Sequence, residues 1–340
     1  MNGWTLANFF GLVLGSVCVL AASTPARAES GPIRIMVSGI EKQIYLPAAL
    51  AQRLGYFKEQ GLDVQLRSET SGVNAEDELL TGGVQGVVGF YDHTILLQTK
   101  GKFVESVVQF SRAPGEAEVV ASRLADRVLT PADFKSRVAG VTGLGSSTHL
   151  LTQFLAARHG VKPGEMTTIA VGSGAAFAEA LGKGRIDMGM TTEPTVSRLL
   201  RSGQARMLVD LRTPNTSDPV LGGVYPGACL YMATVWVEGH RPQVQRLVNA
   251  LVKALHYMES HRADEIAAVL PDDYYGEDRA LYVEALRDSL SMFVGDGAMP
   301  ATGPQTVLRV MRTVSKSVAA RPVDLSKTYT TEFTSAAARQ

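Results

Sequence analysis

Short apolar segments alternate with helical ones along the chain, and this alternation limits its possible folds more than any other feature. Strand patterns at 33–37 and 84–90 flank Leu46, Leu50 and Leu54, which recur at helical spacing. Strands that alternate with helices at this pace form parallel sheets covered by helices on both faces. The sequence therefore predicts a doubly wound α/β lobe with a parallel sheet.

The same alternation begins again in the middle of the chain. Strand patterns at 138–141, 168–171 and 186–190 are separated by helical patterns at 148–158 and 176–181. No literal repeat relates the two halves. The expected fold class is thus α/β, with two doubly wound lobes.

The last third of the chain carries loop and helix signals. Residues 214–227 are rich in Pro, Gly, Ser and Asp, which predicts a long loop before an apolar strand at 229–233. Two apolar stripes at helical spacing, within 244–258 and 307–318, each follow a proline suited to a first helical turn. They predict helices that turn one face to the core.

An apolar run near the start of the chain predicts export. Residues 9–22 have the length of a signal-peptide core and are too short to span a membrane. Ala26 and Ala28 fit the small-residue pattern that signal peptidase cleaves. We therefore expect a signal peptide over 1–28, cleaved after Ala28, and a periplasmic protein. A retained membrane anchor is the alternative.

Charge and cysteine content exclude several classes of function. The 33 Lys and Arg are balanced by 33 Asp and Glu, whereas a nucleic-acid partner requires a basic surplus. Cleavage would leave Cys229 as the single cysteine, too few for a disulfide framework or a cysteine-rich metal site. No histidine pair, P-loop or nucleophile motif has the required spacing. We expect no metal, no cofactor and no enzymatic activity.

A glycine- and hydroxyl-rich segment at a strand-to-helix junction, residues 141–149, is the most specific site signal. Glycines allow a ligand to approach the backbone, and free N–H groups at a helix N-terminus bind anions. Ordinary N-capping by one hydroxyl is the alternative. The segment predicts an anion site with these candidate ligand residues: Gly145, Ser146, Ser147, Thr148 and His149.

Three other segments place polar or aromatic side chains after predicted strands. Ligands of open α/β sheets bind beyond the carboxyl ends of the strands. The candidates are Ser38, Gly39, Tyr45, Tyr91, His93, Thr192 and Glu193. A helix cap is the alternative for His93, and a helix-start carboxylate is the alternative for Glu193. Basic side chains look sparse near these segments, so backbone dipoles and His93 are expected to neutralise a bound anion.

Several motifs resemble, in order, those of one known family. Residues 46–64, LPAALAQRLGYFKEQGLDV, are similar to the opening of the periplasmic solute-binding proteins of nitrate, sulfonate and taurine ABC importers, the NMT1/THI5-like family. Residues 79–88 and 180–187, the latter leading to Glu193-Pro194, resemble later elements of that family. The segment 141–149 resembles its ligand loop.

The resemblance implies a type II periplasmic binding fold, in which two crossover strands act as the hinge. It implies a first lobe of 29–113 plus 230–340 and a second lobe of 114–229. The expected monomer would close on a small organic anion, such as an alkyl or aryl sulfonate, taurine or an aromatic carboxylate. It would then dock on an ABC permease and its ATPase.

Two alternatives stay within the same fold. One is a binding protein for a pyrimidine precursor of thiamine, whose ring N–H groups would suit Glu193. The other is a sensor accessory protein that docks on a receptor. The enzyme branch of the family, a pyrimidine synthase, would need a cysteine-rich iron-binding segment, which Cys229 alone cannot supply.

Overall fold

The computed structural model describes residues 1–2, 31–276 and 278–337. The predicted signal-peptide core and cleavage site lie outside these residues. None of the helices in the described part is long and apolar enough to cross a membrane. Residues 32–276 and 278–337 belong to one compact unit.

Ten strands in the described residues form two five-stranded sheets, and each sheet is the centre of one lobe. The order is β2-β1-β3-β10-β4 in lobe one and β7-β6-β8-β5-β9 in lobe two. The strands are β1 (Ile33–Val37), β2 (Val64–Ser68), β3 (Gly86–Phe90), β4 (Val104–Gln109), β5 (Glu116–Ala121), β6 (Val138–Val141), β7 (Thr167–Ala170), β8 (Met188–Thr192), β9 (Ala205–Leu211) and β10 (Ala228–Ala233).

The expected parallel sheet is interrupted by one antiparallel strand in each lobe. β10 runs antiparallel to β3 and β4, and β5 runs antiparallel to β8 and β9, whereas the pairs of β1 and β6 are parallel. β5 and β10 are the strands that follow the two passages of the chain between lobes. Neighbouring strands of a sheet run parallel when a helix that covers the sheet connects them. The chain reaches β5 and β10 from the other lobe, so these two strands can run antiparallel to their neighbours.

Fifteen α-helices in the described residues cover the sheets. They are α1 (Leu46–Arg53), α2 (Tyr56–Glu59), α3 (Gly72–Leu80), α4 (Asp92–Thr99), α5 (Ser147–Arg158), α6 (Gly174–Gly182), α7 (Thr195–Arg201), α8 (Pro214–Leu221), α9 (Thr234–Gly239), α10 (Arg241–Ser260), α11 (Ala263–Ala268), α12 (Arg279–Ser289), α13 (Gly303–Val314), α14 (Lys316–Ala320) and α15 (Glu332–Ala337).

The prediction of a long loop at 214–227 is wrong for its first half, because residues 214–221 form α8. Pro214 occupies the first helical turn, where its missing N–H costs nothing. The Thr213 backbone N–H and hydroxyl both face the hydroxyl of Thr216, at 3.4 and 3.0 Å. Gly222 then ends the helix in the left-handed conformation, with φ of 77°. Composition alone suggests a loop here, whereas the positions of these residues favour a capped helix.

The two apolar stripes of the last third are confirmed as core-facing helices, α10 and α13. Val244, Leu247, Leu251 and Leu255 of α10 are all at most 1% exposed. Each such side chain contributes about 1.5–3 kcal/mol when it is buried. Cys229 on β10 is fully buried, as expected for a small apolar side chain. The boundaries of the two lobes at 113 and 229 stay a prediction.

Candidate ligand-binding site

A small cavity lies where polar segments that follow strands of both lobes meet. Its volume is about 10 Å³, close to that of one water molecule. Its lining residues are Lys42, Tyr45, Gly72, Phe90, His93, Glu116, Thr142, Ser146, Ser147, Thr148 and Thr192. Because these residues come from both lobes, the two walls must separate before a larger molecule can enter.

The glycine- and hydroxyl-rich segment forms one wall of this cavity at the N-terminus of α5. The hydroxyl of Ser146 donates to the carbonyl of Gly143 at 2.7 Å, and the Thr142 N–H donates to the Thr148 hydroxyl at 3.1 Å. These hydroxyls hold the turn, which requires Gly145 at a φ of 95°. The first N–H groups of the 12-residue helix α5 have no intrahelical partner, so this wall attracts anions.

Ser147 links this wall to lobe one. Its hydroxyl donates to Asp92 Oδ1 at 2.9 Å, and both side chains are buried. Asp92 is the first residue of α4, which packs against β4 of lobe one, whereas α5 packs against β8 of lobe two. The tyrosine hydroxyl of Tyr225 also donates to Asp92, at 3.4 Å. The two lobes are therefore joined by a direct buried hydrogen bond beside the cavity.

His93 on α4 presents an unpartnered ring nitrogen at the cavity. Its Nδ1 lies 2.5 Å from Glu76 Oε2, and both residues are buried. Burial alone would lower the pKa of His93, but the hydrogen bond and charge of Glu76 outweigh it and raise that pKa. A protonated imidazole donates from both nitrogens. Since Nε2 has no hydrogen-bond partner among the described residues, it is a donor available to an anion.

Lys42 also lines the cavity, and it is the one Lys or Arg among the described lining residues. Its side chain is 5% exposed, and Nζ donates to the carbonyls of Ser38 at 2.6 Å and Thr70 at 3.3 Å. Burial lowers its pKa, although Glu41 and Glu116 oppose that shift. A Cβ on Gly39 would lie 2.5 Å from Lys42 Cε, so the glycine makes room for this side chain.

Glu116, the first residue of β5, is the acidic member of the lining. It is 2% exposed, and its Oε2 has no hydrogen-bond partner in the described part of the chain. Burial raises its pKa well above the usual range, Asp92 and Glu118 add to this shift, and Lys42 opposes it. The cavity therefore combines several donors with one unpartnered carboxyl group.

The sequence profile of the NMT1/THI5-like family matches residues 44–264, about two thirds of the chain. The chain belongs to the NMT1/THI5-like family. A protein from Bordetella bronchiseptica RB50 has a similar solved structure. It is 34% identical, covers 91% of this chain and 98% of its own, and superimposes with a TM-score of 0.88.

Two solved binding proteins share the fold of this NMT1/THI5-like protein. The alkanesulfonate-binding protein SsuA from Xanthomonas axonopodis pv. citri, bound to MOPS, is 18% identical with a TM-score of 0.70 and covers 89% of this chain and 99% of its own. The periplasmic nitrate-binding protein NrtA from Synechocystis PCC 6803 is 14% identical with a TM-score of 0.69, over 92% and 89%. These similarities establish the type II periplasmic binding fold.

One enzyme of the family is a partial relative. The 4-amino-5-hydroxymethyl-2-methylpyrimidine phosphate synthase of Saccharomyces cerevisiae is 29% identical over 152 residues. The match covers 44% of this chain and 42% of the yeast enzyme. In the described residues, no group of three or more His, Cys, Asp or Glu side chains could hold a metal ion.

The structure brings half of the candidate residues of this family member together at the cavity. Six of them line it, and their role in binding stays a prediction: Tyr45, His93, Ser146, Ser147, Thr148 and Thr192. The ring of Tyr45 meets Phe90 edge to face, with centroids 6.5 Å apart, and gives the cavity an apolar side.

The other six candidates lie outside the lining, and most have other partners. Ser38 and Gly39 shape the position of Lys42. Tyr91 points elsewhere, with its hydroxyl 2.5 Å from that of Thr328. Gly145 and His149 bind each other, since the Gly145 N–H donates to His149 Nδ1 at 2.9 Å. Glu193 accepts hydrogen bonds from Ser197 and forms an ion pair with Arg212 at 2.6 Å.

Proposed function

We propose that this protein is the periplasmic substrate-binding component of an ABC importer, and that its ligand is a small organic anion. The observation that carries the proposal is the set of hydrogen-bond donors and positive charge at one buried cavity, of which His93 Nε2 has no hydrogen-bond partner in the described residues. His93 Nε2, the ammonium group of Lys42 and the N-terminus of α5 face the same space. Donors of this kind stabilise an oxyanion most strongly where water is excluded.

Binding is proposed to proceed by hinge closure. A ligand in this cavity contacts lobe one through Lys42 and His93 and lobe two through the N-terminus of α5. Since both sets of contacts exist only when the lobes are together, the ligand shifts the equilibrium toward the closed form. The segments between β4 and β5 and between β9 and β10 are the proposed hinge, with lobe two extending from 114 to 229. The closed monomer is then recognised by the permease and ATPase.

The relatives support transport and export. SsuA and NrtA are named as binding proteins for alkanesulfonate and nitrate, and NrtA is named as periplasmic. The proposed ligand class is accordingly alkyl or aryl sulfonates, taurine or aromatic carboxylates. Cleavage after Ala28 by signal peptidase is part of the proposal, and N-terminal sequencing of protein recovered from the periplasm tests it.

A pyrimidine precursor of thiamine is the second candidate ligand. It is supported by the similarity to the yeast pyrimidine phosphate synthase and by the unpartnered acceptor on Glu116, which suits ring or amino N–H groups. Glu193 is less suited to this role, because Ser197 and Arg212 already occupy its carboxylate.

Thermal unfolding of the exported protein in the presence of candidate ligands tests the proposal. A ligand that binds only the folded state raises the melting temperature, and at a hundred times its Kd it adds about 2.7 kcal/mol to the free energy of unfolding. We expect a sulfonate or carboxylate to do this and to be recovered unchanged. A response to 4-amino-5-hydroxymethyl-2-methylpyrimidine alone would favour the second candidate, and turnover of any bound compound would refute a pure binding function.

A further inference from the structure

Glu116 has a position that a plain anion site does not explain. Of the lining residues that the structure describes, it is the acidic one, and it faces the same cavity as the donors. It begins β5, an inner strand of the lobe-two sheet, where it pairs with Thr192 of β8 and Leu211 of β9. The sheet therefore fixes the backbone that carries this carboxyl group.

The other buried carboxyl groups near the cavity have hydrogen-bond partners within the protein. Asp92 accepts from Ser147 and Tyr225, and Glu76 pairs with His93. Glu118, two residues along β5, accepts from Thr152 at 2.8 Å through Oε2, while its Oε1 has no partner in the described residues. No such bond is made by Glu116 in the described residues, and its Oε2 is buried. A buried polar group without a partner is costly, and a bound ligand is one of the partners that can complete it.

Lys42 does not complete Glu116. Its ammonium group donates to the Ser38 and Thr70 carbonyls, and no ion pair between it and Glu116 lies within 4.0 Å in the described part of the chain. Asp92 and Glu118 add negative charge near Glu116 and oppose its ionisation. A cation brought by the ligand would supply the missing partner and favour the ionised carboxylate.

We infer that the ligand is a zwitterion, with its anionic group at His93 and the N-terminus of α5 and its protonated amine at the carboxylate of Glu116. This inference rests on the proposed function and narrows its ligand class. An anion without an amino group would leave the carboxyl group of Glu116 without a partner in the closed cavity. If that carboxyl group were ionised, it would also repel the anion. An amine-bearing anion satisfies both walls, so Glu116 is the residue that determines specificity.

Isothermal titration calorimetry with two matched pairs of probes tests the inference on the exported protein. The pairs are taurine with ethanesulfonate and β-alanine with propanoate, which differ only in the amino group. We expect the amine-bearing member of at least one pair to bind about tenfold to a hundredfold more tightly than its partner, as for pairing a buried polar group. Glu116→Gln should reduce that preference to about threefold or less, because its amide cannot supply the negative charge.

Glu118→Gln is the matched control, since Glu118 lies on the same strand and the same face but outside the cavity lining. It should keep the preference for the amine. Equal or tighter binding of the plain anions by the unchanged protein would overturn the inference and leave the proposed function standing, even if the Glu116 variant does not fold. Binding of none of the four probes would overturn the inference, and the proposed function would fall with it only if no sulfonate or carboxylate in the thermal screen bound either.

Discussion

The hydrogen bond between Ser147 and Asp92 joins the two lobes, and Ser147→Ala removes it. The serine hydroxyl, at the start of α5, lies 2.9 Å from Asp92 Oδ1 on α4, and neither side chain is more than 4% exposed. Without it, Asp92 keeps the longer 3.4 Å bond from Tyr225. His93 Nε2, at 4.0 Å from Asp92 Oδ1, is too distant to replace the lost donor.

The size of the effect follows from the chemistry of this bond. A hydrogen bond to a charged group contributes about 1.5–3 kcal/mol net. Because this bond exists only when the lobes are together, its loss lowers the equilibrium constant for closure by the same free energy, about 10- to 150-fold. A ligand held by both lobes then binds more weakly by that factor.

Calorimetric titration of the ligand found by thermal screening measures this change. Ser289→Ala is the control, because Ser289 is equally buried but its hydroxyl donates at 2.8 Å to Ala285 within its own helix. We expect the control to bind like the unchanged protein. If Ser147→Ala also bound with unchanged affinity, this hydrogen bond would have no role in holding the lobes together.

Three further predictions concern the cavity and the buried acids. In Gly72→Ala the new Cβ would lie 2.8 Å from His93 Nε2, so we expect at least about a tenfold loss of ligand affinity by calorimetry, and Gly239→Ala, with open space around it, should cause none. Lys42→Met should weaken anion binding by about tenfold or more while the protein stays folded by circular dichroism, and an unchanged Kd would remove Lys42 from the site. Burial raises the pKa of Glu118 to about 8, so the free energy of unfolding should fall as pH rises from about 4.5 to 8, by up to about 1.4 kcal/mol per unit. Urea unfolding at several pH values should show that the free energy of unfolding falls less with pH in Glu118→Gln than in the unchanged protein. An equal fall in the two proteins would show that Glu118 is not its cause.

Features that depend on neighbouring residues were predictable from the sequence. The strand-to-helix junction at 141–149 is one, because its glycines and hydroxyls act on the same short stretch of backbone. The core faces of α10 and α13 are another, since apolar spacing along one helix determines them. His93 could be named, but its bond to Glu76 could not, because that bond depends on how α3 packs beside α4.

Residues that reach the cavity only because the chain crosses from one lobe to the other could not be predicted from local sequence patterns. Strand β5 carries Glu116 and Glu118, whose charges hide the apolar pattern of a buried strand. Glu116 therefore reaches the cavity through a strand that the pattern does not reveal. Lys42 was missed for another reason: its buried position requires the space left by Gly39, which only the folded backbone shows.

The position of β10 between β3 and β4 has a consequence for how the protein folds. β3 and β4 follow each other closely in the chain, yet each pairs with a strand that is made only after the whole sheet of lobe two. Lobe two can form all its strand pairs from one continuous stretch, whereas lobe one must close a long loop first, which costs chain entropy and slows folding. During that interval β3 and β4 expose unpaired backbone edges, so the interval before β10 arrives is when this chain is most prone to aggregate.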